Sequence, residues 1–394
     1  MGYFGIPFRN GVPIGLGSVV SFGAQQFDPS ELFVGGTVNG AWYDPSDSTT
    51  LFSDRAGTTP CGTPGGGSVV PVGRMLDKSG YGNHAIAAND TRARPELRAV
   101  VNLLNGSATL ATQSVTTVAT TYTLYFTGSG SITLSGTATG TYAAGSSSVV
   151  CTAGTLTLTV SGTVTTADLR PANSGAQLPV YQARTDANTY DAVGFPRYLV
   201  ANGTSSIMSI PGSASAMKFL HSDVSSVCIG ANVGASTNPA ALYTFFGSNT
   251  STTARIGVFF AYDDLSGGRH DALRLLTTNG DGIVPNVIDV VQNNQLLPVR
   301  PNVVFYNSDP ANATAANRFT GYVNNGSALA GNTGTRTPST SNSYADVQLF
   351  ADGANGLLGL MNCYGLIIVN ATITGGQRTA TQNWIANKMG VTLP

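Results

Sequence analysis

The sequence has little charge of either sign. Only 10% of its 394 residues are charged and the net charge is −1, whereas about 25% of residues are charged in ordinary soluble domains. No basic run is present, so the chain offers no electrostatic footprint for nucleic acid. Hydrophobic residues make up 42% of the chain, enough for a real core, which excludes bulk disorder.

Cysteines and long apolar runs are also scarce. The cysteines Cys61, Cys151, Cys228 and Cys363 are far apart and form no CxxC pair, which predicts isolated, mostly buried thiols and argues against a disulfide framework or a zinc site. No stretch approaches the roughly 20 apolar residues that a membrane span requires. The N-terminus lacks the features of a signal peptide, so we expect a protein that is made in a cytosol and stays soluble until it assembles.

Residues typical of catalysis are few. A glycosidase needs two carboxylates about 5–10 Å apart, but the glutamates are only Glu31 and Glu96, and neither lies in a paired-acid motif. The adjacent Asp263 and Asp264 would point to opposite faces of a strand. No nucleophile elbow is present, and His84 follows a turn-rich phrase, where we expect it to fill the turn. The sequence therefore predicts a protein that is not an enzyme.

Glycine, serine and threonine are abundant, which is typical of strands joined by tight turns. The whole chain contains 48 glycines. The segment from Asn105 to Ala167 is uncharged, and apolar and hydroxyl residues alternate most clearly there. We interpret residues 105–170 as a small β-sandwich domain inserted into a larger one. The apolar positions of this alternation are Tyr122, Leu124, Phe126, Ile132, Leu134, Leu156, Leu158 and Val160.

The uncharged segment lacks the charges that usually protect sheet edges. Its edges are therefore covered either within the chain or by neighbouring copies. We expect a homo-oligomer, and analogy with fibres that close around a threefold axis favours a trimer.

The first 27 residues are apolar, glycine-rich and interrupted by Pro7 and Pro13. Such a segment would be exposed and adhesive unless something covers it. It is either a docking arm inserted into a larger assembly or an N-terminal strand packed on its own domain. The arm residues that would contact other structural proteins are Tyr3, Phe4, Ile6, Phe8 and Arg9.

Short apolar runs separated by turns fill the rest of the chain and predict further strands. Asn324-Asn325-Gly326 indicates a hairpin turn, because Asn-Gly tolerates the positive φ of a type I′ turn. One helix is predicted near the C-terminus, with Thr374 and Gln377 as a capping box and Gly390 as the stop. The predicted strands are Val224–Ile229, Leu242–Phe246, Ile256–Tyr262, Val287–Val291, Val303–Tyr306, Phe319–Val323, Val347–Phe350 and Tyr364–Val369.

Several phrases in order resemble virion appendage proteins of tailed bacteriophages, which are similar to tail fibres and carry a laminin-G-like or concanavalin-A-like jelly roll. The phrases are Gly40-Ala41-Trp42-Tyr43-Asp44-Pro45-Ser46-Asp47, Val72-Gly73-Arg74-Met75-Leu76-Asp77-Lys78-Ser79-Gly80-Tyr81-Gly82-Asn83-His84-Ala85, Asn102-Leu103-Leu104, Tyr190 to Leu199, and Tyr364 to Val369 before the terminal helix.

The resemblance covers residues 28–394 and implies an all-β fold. In this fold, residues 28–104 and 171–394 form one jelly-roll sandwich around the insert, with one C-terminal helix. It implies a structural protein at the virion surface, a tail fibre or tail appendage that contacts host-surface glycan. The alternative is a head decoration or head-fibre protein bound to the capsid, and a polysaccharide depolymerase is a third, less favoured class. Similar modules occur on tails and heads, so the resemblance leaves the location open.

Glycan binding needs exposed aromatic rings beside amides and carboxylates. Tyr262 with Asp263 and Asp264, and Tyr306 with Asn307 and Asp309, have this chemistry at predicted strand ends, although ordinary loop decoration explains them as well. We expect no cofactor and no metal. The stretch from Asn279 to Gly282 faintly suggests calcium, but no acidic ligand follows at calcium-loop spacing.

Overall fold

The computed structural model describes most of the chain. The described residues are 27–34, 38–62, 70–87, 94–99, 102–104, 106–117, 119–171, 197–233, 241–249, 255–264, 272–279, 286–292, 301–330, 337–389 and 393–394. The predicted arm residues Tyr3, Phe4, Ile6, Phe8 and Arg9 lie outside these ranges, as do residues 190–196 of the fourth phrase and the possible calcium stretch beyond Asn279.

Strands dominate the described residues. They are β1 (Gly40–Tyr43), β2 (Leu51–Phe52), β3 (Val70–Pro71), β4 (Arg74–Met75), β5 (Ala85–Ala87), β6 (Glu96–Ala99), β7 (Gln113–Thr117), β8 (Thr120–Gly136), β9 (Gly140–Cys151), β10 (Gly154–Ser161), β11 (Thr165–Pro171), β12 (Arg197–Asn202), β13 (Met208–Ser209), β14 (Ser225–Val233), β15 (Ala241–Gly247), β16 (Val258–Asp264), β17 (Ala272–Asn279), β18 (Asn286–Gln292), β19 (Pro301–Ser308), β20 (Phe319–Val323), β21 (Leu329–Ala330), β22 (Gln348–Leu349) and β23 (Leu360–Val369).

Helices are short except at the C-terminus. The α-helices are α1 (Ser213–Ala216), α2 (Phe219–Ser222) and α3 (Gly375–Met389), and single 3-10 turns occupy Pro29–Phe33, Ser48–Thr50 and Ala315–Asn317. The predicted terminal helix is α3, and it begins directly after Thr374. Within the described ranges, no helix is both long and apolar enough to cross a membrane.

Two antiparallel sheets form the main sandwich. The first has the order β21-β20-β19-β14-β23-β12-β6-β3, and β1 also pairs with β23. The second has the order β18-β17-β16-β15-β22-β13-β5-β4-β2. Both sheets contain strands from before and after residues 105–170. The predicted all-β, jelly-roll-like sandwich with one terminal helix is confirmed.

The inner core lies between the two sheets. Alternation along β14 sends Val227 and Ile229 inward, while Cys228 points to the opposite face. Rings from the two sheets touch directly, since the centroids of Phe260 and Tyr306 are 5.0 Å apart. The first sheet therefore buries both of its faces, and its central strands read as continuous apolar runs.

Helix α3 covers the outer face of the first sheet. Its Ile385, Ala386 and Met389 are almost completely buried there. The helix approaches closely because β14 and β23 carry glycines beneath it. A Cβ on Gly230 would lie 2.4 Å from Ile385 Cγ2, and one on Gly365 would lie 2.9 Å from Ile385 Cδ1.

A third sheet is formed by the insert, in the order β11-β8-β10-β7 with β9 also on β8. The two apolar runs at Tyr122–Phe126 and Ile132–Leu134 belong to one 17-residue strand, β8. The pairing of β8 with β9 shifts register between Phe126 and Ser131. Gly128 makes this irregularity possible, because its φ is +111° and a Cβ there would lie 2.2 Å from the carbonyl oxygen of Thr163.

The insert has an apolar cluster of its own, which includes Leu103, Leu124, Ile132, Leu158 and Leu169. Asn102 ties the entry of the insert to its exit. The Asn102 amide donates to the Ala167 carbonyl at 2.9 Å, and its side-chain oxygen accepts from Leu169 N at 3.1 Å. We interpret the insert as a separate folding unit whose entry and exit segments are joined by the hydrogen bonds of Asn102.

Several local expectations from the sequence can be compared with the structure. β20 has the bounds predicted for it, and the other predicted runs after residue 200 coincide with β14, β15, β16, β18, β19, β22 and β23 within a few residues. The predicted hairpin turn forms, but its positive φ values fall on Asn324 (52°) and Asn325 (58°) rather than on Gly326. All four cysteines are free thiols, as predicted, and Cys61 is the one that is not fully buried.

Candidate functional site

Two of the phrases that carry the resemblance meet at the start of β1. The Asp77 carboxylate accepts hydrogen bonds from the backbone of Trp42 (2.9 Å), Ser79 (2.8 Å) and Asn83 (3.0 Å). Lys78 N donates in return to the Trp42 carbonyl at 2.8 Å. One nearly buried carboxylate thus organises the turn after β4 and fastens it to β1.

The turn is closed by Asn83 and His84. The Asn83 amide donates to the Gly40 carbonyl at 2.6 Å, and the buried Tyr43 hydroxyl donates to the Asn83 carbonyl. His84 Nδ1 accepts from Asp77 N at 3.0 Å, which confirms the prediction that this histidine fills a turn. Burial lowers the pKa of His84, Arg74 lowers it further, and Asp77 opposes both, so His84 is held in its neutral, accepting form near pH 7.

Two lysines converge on the carboxylate of Asp44, whose side chain is only 2% exposed. The Lys388 ammonium lies 2.9 Å and the Lys78 ammonium 3.9 Å from Asp44 Oδ2. Lys78 also pairs with Asp47 at 2.5 Å, and Lys388 donates to Ser46 Oγ at 2.8 Å. The chain has three lysines in all, and two of them meet here.

Both tryptophans of the chain complete the arrangement. The Lys78 ammonium lies 4.6 Å from the ring centroid of Trp42, and that of Lys388 lies 4.8 Å from the centroid of Trp384. The rings themselves meet edge to face, with centroids 5.6 Å apart and an interplanar angle of 77°. We call these five residues, Trp42, Asp44, Lys78, Trp384 and Lys388, the tryptophan–lysine cluster.

The cluster joins three distant parts of the chain: β1, the turn after β4 and helix α3. Each ammonium gains both a carboxylate and an aromatic face, and cation–π contacts add about 0.5–1 kcal/mol at sites this exposed. The carboxylates of Asp44 and Asp47 balance the charges of the two lysines. Chemically, the cluster fastens α3 to the sandwich, and it leaves a rim where both lysine side chains are about a quarter exposed.

The predicted glycan candidates occupy different places. Tyr262 is 1% and Tyr306 0% exposed, and both belong to the inner core. Neither ring can stack on a sugar, so the expectation of exposed aromatic platforms at these positions is wrong. The physical reason is that side chains two residues apart on a strand point to the same face of the sheet. Tyr306 therefore shares a face with Val304, which packs between the sheets.

The polar neighbours of these tyrosines have local partners or lie at a strand end. Asn307 accepts from Ser226 Oγ at 2.5 Å and donates to the Ile373 carbonyl at 2.8 Å, so it ties β14 and β19 to the segment before α3. Asp309 accepts from Asn312 Nδ2 at 2.8 Å within a turn. Asp263 and Asp264 are the last two residues of β16. Asn307 and Asp309 therefore have structural contacts of their own.

The remaining candidate acids also have structural contacts. Glu31 accepts from Asp28 N at 3.3 Å in a capping box, and Glu96 pairs with Arg98 at 2.7 Å. Among the residues that the structure describes, no three His, Cys, Asp or Glu side chains come together in a way that could hold a metal ion.

One charged pair was not anticipated from the sequence. Asp168 and Arg170 form an ion pair on β11, and both side chains are less than 10% exposed. Burial raises the pKa of Asp168 to about 6, although Arg170 opposes the shift. Burial raises the pKa of Tyr198 on β12, and the charges of Arg98 and Arg170 oppose that shift. An Asp-x-Arg pattern closing an otherwise uncharged segment is the signal that could have revealed it.

Comparisons with known proteins give only distant likenesses. No family model matches the chain, and no curated protein matches it. Among solved structures, the CBM40 of the Ruminococcus gnavus IT-sialidase covers 46% of this chain and 94% of its own length, at 12% identity and a TM-score of 0.34. Trypanosoma rangeli sialidase in complex with the inhibitor DANA covers 50% of this chain and 28% of its own, at 13% identity and a TM-score of 0.33. Matches of this quality assign neither a family nor a ligand.

Proposed function

We propose that this chain is a non-catalytic structural protein of a tailed-phage virion, carried on a tail fibre or tail appendage. The observation that carries the proposal is the convergence of the resembling phrases. The phrase around Trp42, the phrase around Asp77 and the C-terminal helix are far apart in the sequence, yet they meet in the tryptophan–lysine cluster. Phrases that build one shared structural feature support the resemblance more strongly than phrases scattered over a surface.

Contact with host-surface glycan is the second part of the proposal. Because Tyr262 and Tyr306 are buried, we place the contact at the rim of the tryptophan–lysine cluster. Trp384 is partly exposed there beside the Lys388 ammonium, and Trp42 lies beside Lys78, which pairs with the Asp47 carboxylate. An aromatic ring beside a cation and a carboxylate suits the apolar face and the hydroxyl groups of a sugar. Many copies on one particle would convert weak single contacts into avidity.

Antibody labelling of intact particles tests the virion role. Gold-labelled antibodies against this chain should decorate the tails of the phage that encodes it, and cryo-electron microscopy of the same particles should reveal the sandwich there. Labelling of the head would replace the tail assignment with the alternative of a head decoration or head-fibre protein. Particles that carry no label would refute the virion role.

Glycan binding is tested separately, with the full chain on a glycan array and on host polysaccharide. Lys388→Gln should weaken any binding, whereas Lys218→Gln, which removes an exposed lysine far from the cluster in the sequence, should not. Circular dichroism checks that both variants are folded. An array without signal would contradict glycan contact, and release of reducing sugar would contradict the absence of catalysis.

A further inference from the structure

The free edges of the main sandwich are blunted in the described part of the chain. Three of its four terminal strands, β2, β3 and β21, have only two residues each, and β3 ends in Pro71. The fourth, β18, carries Asp289. Short strands, proline and charge are the usual means by which sheets prevent further pairing.

The edge strands of the insert differ from those of the main sandwich. On one side, β11 carries Asp168, Arg170 and Pro171, and β7 has only five residues. On the other side lies β9, with twelve residues and no charge or proline. One edge of β9 pairs with β8 from Gly140 to Cys151. Its other edge pairs with no strand among the described residues. At about 3.4 Å per residue, this edge is about 40 Å long.

The second half of β9 is also open to solvent. Ser146, Ser148 and Val150 are all exposed, and Val150, with 74% of its surface accessible, is among the most exposed large apolar side chains described. Its neighbours Val149 and Cys151 face the core of the insert. Within the described part of the chain, the strand is therefore packed from the inside, while its second edge has no strand partner and its outer side chains are exposed.

We infer that this edge is an assembly surface, on which β9 pairs antiparallel with β9 of a second copy of this chain. An antiparallel pair of identical strands is self-complementary about a twofold axis, so one edge supplies both halves of the interface. Residues 105–167 contain no Asp, Glu, Lys, Arg or His, so two copies meet without like-charge repulsion near neutral pH. The same lack of charge gives the edge nothing with which to recognise a charged partner. The pairing would join two five-stranded sheets into one.

Charge placed on the edge tests this inference in the full chain. Sedimentation analysis should find self-association, and Val150→Lys or Ser148→Lys should raise the dissociation constant at least tenfold. Ser135→Lys is the matched control: this residue is also exposed, but it lies on the central strand β8 and pairs with Thr157 of β10. Ser135→Lys should leave association unchanged.

Cross-linking tests the geometry. Cysteine variants at Ser146, Ser148 and Val150 should form intermolecular disulfides under mild oxidation, with the strongest yield at the residue nearest the twofold axis. A monomeric full chain would overturn the inference, as would association that the edge lysines leave intact. A complex that the lysines disrupt but no cysteine cross-links would overturn the antiparallel arrangement. These results do not depend on where antibodies label the virion, so pairing and virion role can fail independently.

Discussion

The sandwich and the insert are both β-sheets with apolar interiors, but they organise their polar residues in opposite ways. In the sandwich, buried charges such as Asp44 and Asp77 connect strands, a turn and the terminal helix through ion pairs and hydrogen bonds. In the insert, hydroxyl groups face one another across strands, as at Thr133 and Thr141, whose Oγ1 atoms are 3.0 Å apart. Charge thus holds distant parts of the chain together, whereas local strand pairing is sufficient for the insert.

This difference implies that a substitution can destabilise the insert without lowering the stability of the sandwich. Gly128→Ala would place a Cβ 2.2 Å from a backbone oxygen at a φ of +111°, which should cost the insert about 3 kcal/mol. Hydrogen exchange of β8 should accelerate, while the fluorescence transition of Trp42 and Trp384, both outside the insert, should remain in place. Gly145→Ala is the control, because its φ is also positive but no atom lies within 4 Å of the added Cβ. Simultaneous loss of both signals would show that the two cores unfold as one.

The buried ion pair at the base of the insert should give it an unusual pH dependence. Burial raises the pKa of Asp168 from 3.8 to about 6, so the folded insert binds more protons than the unfolded chain between these values. Its free energy of unfolding should therefore fall as pH rises from about 4 to about 6, by at most about 3 kcal/mol, and then level off. Asp168→Asn should flatten this slope in chemical denaturation at several pH values. A variant with the wild-type slope would assign the titration to another group.

In the sandwich, the charged network can be tested at its least exposed member. Asp44→Asn removes the carboxylate shared by Lys78 and Lys388 and should cost about 1–2 kcal/mol, with a change in tryptophan emission. Asp47→Asn removes a carboxylate that is 25% exposed and should cost less than about 1 kcal/mol. Equal effects of the two variants in urea denaturation would contradict the central position of Asp44.

The smallest effect is expected from the hydroxyl pairs of the insert. Thr133 and Thr141 are both exposed, so their mutual hydrogen bond should contribute only about 0.5 kcal/mol. A double-mutant cycle of Thr133→Val and Thr141→Val measures this coupling directly. A coupling above about 1.5 kcal/mol would mean that the hydroxyl rows stabilise the insert as strongly as charges stabilise the sandwich.

Prediction from sequence succeeded where a property repeats along a single strand. Alternation of Leu156, Leu158 and threonines identified β10, and a continuous apolar run identified β23. Features that depend on two strands at once were not accessible from the sequence. The irregularity within β8 after Phe126 becomes visible only when β8 is paired with its neighbouring strands.

The binding candidates illustrate the same limit. Polar residues beside Tyr262 and Tyr306 suggested exposed sites. However, both tyrosines occupy strand positions whose side chains point between the sheets, so both rings are buried in the inner core. The tryptophan–lysine cluster was missed for the complementary reason. Its Asp44 and Lys388 lie at opposite ends of the chain, and nothing in the neighbourhood of either residue indicates the other.

By itself, the sequence determined the all-β class, the uncharged stretch of residues 105–167 and the terminal helix, because alternation, charge content and helix periodicity are local properties of the chain. Only the tertiary structure decided which residues share the tryptophan–lysine cluster, which tyrosines are buried and which edge of the insert has no partner among the described strands. These features depend on the order and register of strands, which are selected by packing between residues far apart in the chain.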